Sequence, residues 1–129
     1  MNVDDNPAAR AVLWDVDGTL VDSLEYHWLS WRAALEVKDC FDALVSAEEV
    51  ERGKPDPQIF LTAAAKLQTP PARCIVVEDA PAGTEAARRA GMRAIGVLTT
   101  HARLEADRVA RTLDELDDSA FDDLLDGGR

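Results

Sequence analysis

The chain has 129 residues, 25 of them acidic and 14 basic, for a formal net charge of −11. That charge repels the phosphate backbone of nucleic acids and anionic lipid surfaces, so neither is an expected partner, and a phosphorylated small molecule would need a local cation to bind. The length predicts one domain over 1–129, and a hydrophobic fraction of 47% supplies its core.

No apolar run approaches the ~20 residues of a membrane span. The acidic start, Met1-Asn2-Val3-Asp4-Asp5, lacks the basic and apolar regions of a signal peptide. Cys40 and Cys74 stand far apart with no C-x-x-C spacing, and read as reduced core residues of a cytoplasmic protein.

Taken in order, residues 1–10 form a loose leader and 11–16 a first strand, opened by the apolar run Ala11-Val12-Leu13-Trp14. Asp15 and Asp17 end that strand, and Gly18 suits the turn after it. Leu24, Trp28, Trp31 and Leu35 recur at helical spacing and predict a helix over 24–37. A short strand over 43–46 follows, then a proline-stiffened loop containing Lys54. Asp56 is placed to cap a helix over 57–67 with Pro57 at its first position, and Ile59, Phe60, Ala63, Ala64 and Leu67 form its apolar face.

Cys74-Ile75-Val76-Val77 is a continuous apolar strand, the pattern expected when helices cover both faces. It ends in Glu78-Asp79. Pro81 starts a helix that closes at Gly91, and 94–98 is another buried strand. Beyond it the pattern predicts a short helix over Leu104–Ala106, an edge strand over 108–111 and a last helix capped by Ser119 and Asp122, carrying Phe121, Leu124 and Leu125. Alternating strands and helices predict an α/β fold, a three-layer doubly wound parallel sheet with strand 11–16 central, 74–78 beside it and 94–98 beyond, and with the helix over 24–37 joining 11–16 to 43–46 if those two strands are neighbours.

A parallel sheet brings its strand ends to one edge, where ligands bind. Asp15, Asp17, Lys54, Glu78 and Asp79 all fall there. Two carboxylates two residues apart repel each other unless a divalent cation lies between them, and one of them can attack phosphorus. Taken singly, the same residues also read as an acidic turn, a solvated lysine and a helix start favoured by the dipole. His101 has no context that assigns it a role.

The uninterrupted D-V-D-G-T-L-V-D-S after an apolar strand resembles the first motif of the haloacid dehalogenase-like (HAD) superfamily. G-K-P-D-P is similar to that family's basic motif and V-V-E-D-A-P-A-G to its acidic motif, in the family's order. The resemblance implies a Rossmann-like core and a Mg2+-dependent hydrolase, with phosphatase-type phosphoryl transfer from a small phosphorylated metabolite. It implies that Asp15 is the nucleophile and Asp17 the general acid/base. Mg2+ would be held by Asp15, the backbone carbonyl of Asp17, Glu78 and Asp79, while Lys54 neutralises the phosphoryl group and holds the nucleophile.

The phosphatase/phosphoglucomutase-like branch carries a helical cap after the first motif, then a βα unit whose strand ends in a phosphoryl-binding Ser or Thr. Here E-Y-H-W-L-S-W-R-A-A-L-E runs through Val37-Lys38-Asp39-Cys40 directly into F-D-A-L-V-S-A-E-E-V, which resembles the family's next strand. The pattern implies a truncated, capless core with a βα unit deleted, whose exposed sheet edges invite a second copy to pair. The missing cap and hydroxyl support an alternative, a catalytically impaired remnant that binds Mg2+ or phosphate or self-associates. A phospho-accepting receiver domain is disfavoured, because its lysine falls late in the chain and here Lys54 precedes the second acidic pair.

Overall fold

The computed structural model of the chain describes residues 10–15, 45, 47–117 and 119–126. Four strands pair in the order β1-β2-β3-β4, all parallel: β1 (Ala11–Trp14), β2 (Cys74–Glu78), β3 (Arg93–Val97) and β4 (Arg108–Ala110). Leu13 lies beside Val76, which lies beside Ala94, so the three apolar runs share one register. The ladder continues one residue past β1, where the Asp15 N–H donates to the Val77 carbonyl at 3.1 Å. That bond ties the first acidic residue to the end of the neighbouring strand.

Strand side chains alternate between two cores, as a period of two requires. Leu13, Cys74, Val76 and Ala94 face α1 (Gln58–Lys66) and α2 (Pro81–Arg89), where Phe60, Ala64, Ala86, Ala87 and Ala90 complete one cluster. Ile75, Val77, Ile95 and Val97 face the other way, towards Leu124 of α3 (Ala120–Asp126), with Phe121 and Leu125 beside it. The Trp14 and Phe121 rings meet there at a 6.1 Å centroid distance, tilted by 58°. All five residues of β2 are buried, because helices cover both of its faces. The result is the expected three-layer α/β fold.

Local chemistry sets the helix ends. Asp56 Oδ1 accepts the Gln58 N–H at 2.9 Å and the Pro57 carbonyl accepts the Leu61 N–H, so the Asp-Pro pair starts α1 with Pro57 at the cap position, one residue later than its sequence predicts. Ile59, Phe60, Ala63, Ala64 and Leu67 all join one core cluster. Helix α2 closes on Gly91 at φ +77°, with Gly91 N–H bonded to Arg88 O and Met92 N–H to Ala87 O. These two bonds satisfy carbonyls that a helix end leaves open.

β1, expected at the centre of the sheet, pairs with β2 on one side among the described residues. The strand expected over 43–46 lies outside the described residues apart from Val45, which is not in a strand. The helix over 24–37 and Cys40 also lie outside them. Leu104–Ala106 is not helical. Leu104 and Ala106 instead pack over Gly96, and Asp107 Oδ2 accepts the Ala94 N–H at 2.8 Å, which ties the segment to β3. At the start of α3 the Ser119 hydroxyl lies 2.9 Å from a carboxylate oxygen of Asp117 and 3.2 Å from one of Asp123, and the Ser119 carbonyl accepts the Asp123 N–H at 2.9 Å.

Candidate active site

Because the sheet is parallel, β1, β2 and β3 release their chains at the same edge. Asp15 follows β1, Glu78 ends β2 and Asp79 follows it, while the turn containing Lys54 arrives from the segment before α1. Lys54 Nζ lies 3.2 Å from Asp15 Oδ1 and is also ion-paired with Glu78 Oε2. The ammonium sits 5.1 Å above the ring of Phe60, a core residue of α1, so the helix face that builds the core also supports the lysine.

Glu78 is 1% exposed, and a carboxylate so buried is tolerated only when its charge and lone pairs are met. Oε2 faces Lys54, while Oε1 accepts the backbone N–H of Asp79 at 3.0 Å and of Ala80 at 3.3 Å. Gly83, in the first turn of α2, leaves room for this side chain. A Cβ at Gly83 would lie 1.9 Å from Cδ of Glu78, so any other residue there displaces the carboxylate.

The charges set one another's protonation. Burial, a hydrogen bond to Asp79 and the nearby Glu78 charge raise Asp15, against the pull of Lys54, to about 8. Burial raises Glu78 as well, although Lys54 opposes it. Burial would also raise Asp79, but hydrogen bonds from Asp15, Thr100 and the backbone outweigh it and hold Asp79 below the ordinary carboxylate range. Burial works against the Lys54 charge, yet Glu78 and Asp15 more than compensate and the ammonium is held above its ordinary value. Metal-free, Lys54 and the proton with which Asp15 bonds Asp79 offset two of the three carboxylate charges.

A cation suits this donor set. Asp15, Glu78 and Asp79 each present a carboxylate oxygen within 4.8 Å of the other two. Ligands about 2.1 Å from one Mg2+ lie up to about 4.2 Å apart, so small side-chain adjustments bring all three into range. All-oxygen donors favour a hard ion.

The fold thus brings together four of the five residues singled out by sequence: Asp15, Lys54, Glu78 and Asp79. Asp17 lies outside the described residues. Two contributors carry no motif. Thr100 and His101, in the loop after β3, both contact Asp79. Their only signal in the sequence is a hydroxyl and an imidazole just beyond a buried parallel strand, at the edge where the other strands end.

A family model for haloacid dehalogenase-like hydrolases matches residues 29–91. The chain is 47% identical over 78 residues to validoxylamine A 7'-phosphate phosphatase of Streptomyces hygroscopicus subsp. limoneus, covering 58% of this chain and 37% of that protein. It is 48% identical over 82 residues to beta-phosphoglucomutase of Bacillus subtilis (strain 168), covering 64% of this chain and 36% of that one. The fold matches a family IA, variant 3 HAD hydrolase from Entamoeba histolytica HM-1:IMSS with a TM-score of 0.65 at 25% identity, over 76% of this chain and 49% of the other. It also matches beta-phosphoglucomutase from Clostridium difficile with a TM-score of 0.58 at 32% identity, over 67% and 39% of the two chains. The chain spans a little over a third of the length of these two curated relatives.

Proposed function

Because the chain belongs to the haloacid dehalogenase-like hydrolases, we propose that it is a phosphatase-type hydrolase that moves the phosphoryl group of a small phosphate ester onto Asp15 and then to water. The observation that carries this reading is the convergence of Asp15, Lys54, Glu78 and Asp79 at one sheet edge, with a lysine bridging two acids. The names of the relatives, validoxylamine A 7'-phosphate phosphatase and beta-phosphoglucomutase, support a small phosphate ester as the substrate class.

In this reading an oxygen of deprotonated Asp15 attacks phosphorus, a P–O bond to the carboxylate forms, and the ester P–O bond breaks. Asp17 gives the leaving alkoxide its proton and later takes one from the water that attacks the aspartyl-phosphate, which releases inorganic phosphate. Lys54 holds Asp15 in place and faces the phosphoryl oxygens. Glu78 holds Lys54 in turn. Asp15, Glu78 and Asp79, with the carbonyl of Asp17, would hold Mg2+, which when bound neutralises phosphoryl charge. Positioning and charge neutralisation carry most of a phosphoryl transfer, and these residues supply both.

Release of phosphate from p-nitrophenyl phosphate by the 129-residue chain, with and without Mg2+, tests the reading. Turnover should need Mg2+ and fall at least about a thousandfold in Asp15→Asn. Turnover that survives in Asp15→Asn would rule out the aspartyl-phosphate route.

A further inference from the structure

The loop that leaves β3 turns back to the carboxylate cluster and holds Asp79 at two points. The Thr100 hydroxyl oxygen lies 2.7 Å from Asp79 Oδ2 and 3.0 Å from the Asp79 carbonyl oxygen. His101 Nδ1 lies 3.1 Å from that same carbonyl and 3.0 Å from the Thr100 hydroxyl. A hydroxyl has one proton to donate. The carboxylate is the closer and the charged acceptor, so it takes that proton. An Nδ1–H tautomer of His101 then serves the carbonyl.

Asp79 needs such a hold. It lies one residue past the end of β2, and its side chain can turn about two bonds. A carboxylate that serves a metal must keep its oxygens within about 0.5 Å of the productive place. A donor fixed on Oδ2 sets the plane of the carboxylate and leaves its other lone pairs at constant positions. Thr100 is suited to the task because a β-branched side chain has few rotamers. The residue is also only half-buried, so it does not owe its place to the core.

We propose that Thr100 is a positioning residue of the Mg2+ site, holding the Asp79 carboxylate in its ligand orientation through the Oγ1–Oδ2 hydrogen bond. This rests on the metal-site reading given above. Outer partners of ligating groups are worth about 10- to 100-fold in metal affinity. Thr100→Val keeps the shape and removes the donor, whereas Thr100→Ser keeps the donor.

The test is a set of thermal melts of the 129-residue chain across a Mg2+ series at constant ionic strength, for wild type, Thr100→Val and Thr100→Ser. Thr100→Val should move the Mg2+ midpoint up about 10- to 100-fold, and Thr100→Ser should stay within about threefold of wild type. In an Asp79→Asn background, Thr100→Val should add no further loss, because the group it positions is already altered. If Thr100 serves only to tether its loop, Thr100→Val lowers the metal-free melting temperature and leaves the Mg2+ midpoint where it was. That result overturns the proposal, as does a Ser variant that loses as much as Val. Should Thr100→Val not fold, Thr100→Ala is compared with Thr100→Ser in the same way. A wild type that shows no Mg2+ shift brings down the metal-site reading itself, and this proposal with it. A wild type that shifts alongside an unaffected Thr100→Val brings down this proposal alone.

Discussion

The two ends of β2 are equally buried and chemically opposite. At one end Cys74 is 0% exposed, its thiol pushed up to about 11 by burial, with Sγ 3.5 Å from the Pro70 carbonyl. At the other, four residues on, Glu78 is 1% exposed and carries a carboxylate paired with Lys54 and two backbone N–H groups. The first end meets burial by staying neutral. The second meets it by gathering partners from a loop and a helix start. Burial alone therefore does not separate the core of this protein from its site. What separates them is whether the surroundings supply donors and counter-charge. In a parallel sheet that happens at the end where the strands release their loops.

Substitutions along the strand sharpen the contrast. The largest expected loss of stability is at Ile75, fully buried on the α3 side. Ile75→Ala should cost about 4 kcal/mol in a urea melt while leaving the Mg2+ midpoint unchanged. A shift in that midpoint would mean that core and site are not separable. Lys54→Met, similar in length and without charge, should cost about 3 kcal/mol in the metal-free protein, because it leaves buried Glu78 with no cation. Added Mg2+ should recover part of that loss, and equal losses with and without Mg2+ would contradict a shared charge cluster.

Gly83→Ala drives a methyl into the space of the Glu78 carboxylate and should cost about 2 kcal/mol. Unlike Ile75→Ala, it should also weaken Mg2+ binding, and a full-strength Mg2+ shift in this variant would show that Glu78 is not a ligand.

The last effect is a pH slope, the smallest per unit of the variable changed. Asp15 ionises near 3.8 in an unfolded chain and near 8 in the fold, so between those values the folded protein holds the extra proton. Its contribution is complete below about pH 3.8 and is lost as the pH rises through about 8, at no more than about 1.4 kcal/mol per pH unit. Glu78, also raised, acts in the same direction, while the lowered Asp79 acts only at more acidic pH. Metal-free stability should therefore fall from pH 5 to 8, and saturating Mg2+ should flatten the slope. A metal-free melting temperature that rises over this range would refute the raised ionisation of Asp15.

The sequence by itself determined whatever depends on near neighbours. Apolar runs at 11–14, 74–77 and 94–97 are strands in the structure, and the Asp56-Pro57 start and the Gly91 stop fall where turn chemistry puts them. Asp15, Lys54, Glu78 and Asp79 could be named because each sits in a short motif. Leu104–Ala106 misled, since a short apolar pair reads as a helix until Gly96 opens a place for it on β3.

Only the tertiary structure decided that Thr100 meets Asp79 across 21 residues, that Gly83 is required by a carboxylate, and that Phe60 supports Lys54. It also decided that the Asp15 carboxyl is pushed up and that of Asp79 held down. These contacts depend on strand register and on the distance between loops, and a spacing along the chain carries neither. Local backbone preferences are set within a few residues, whereas the energy of a buried charge is set by everything that faces it.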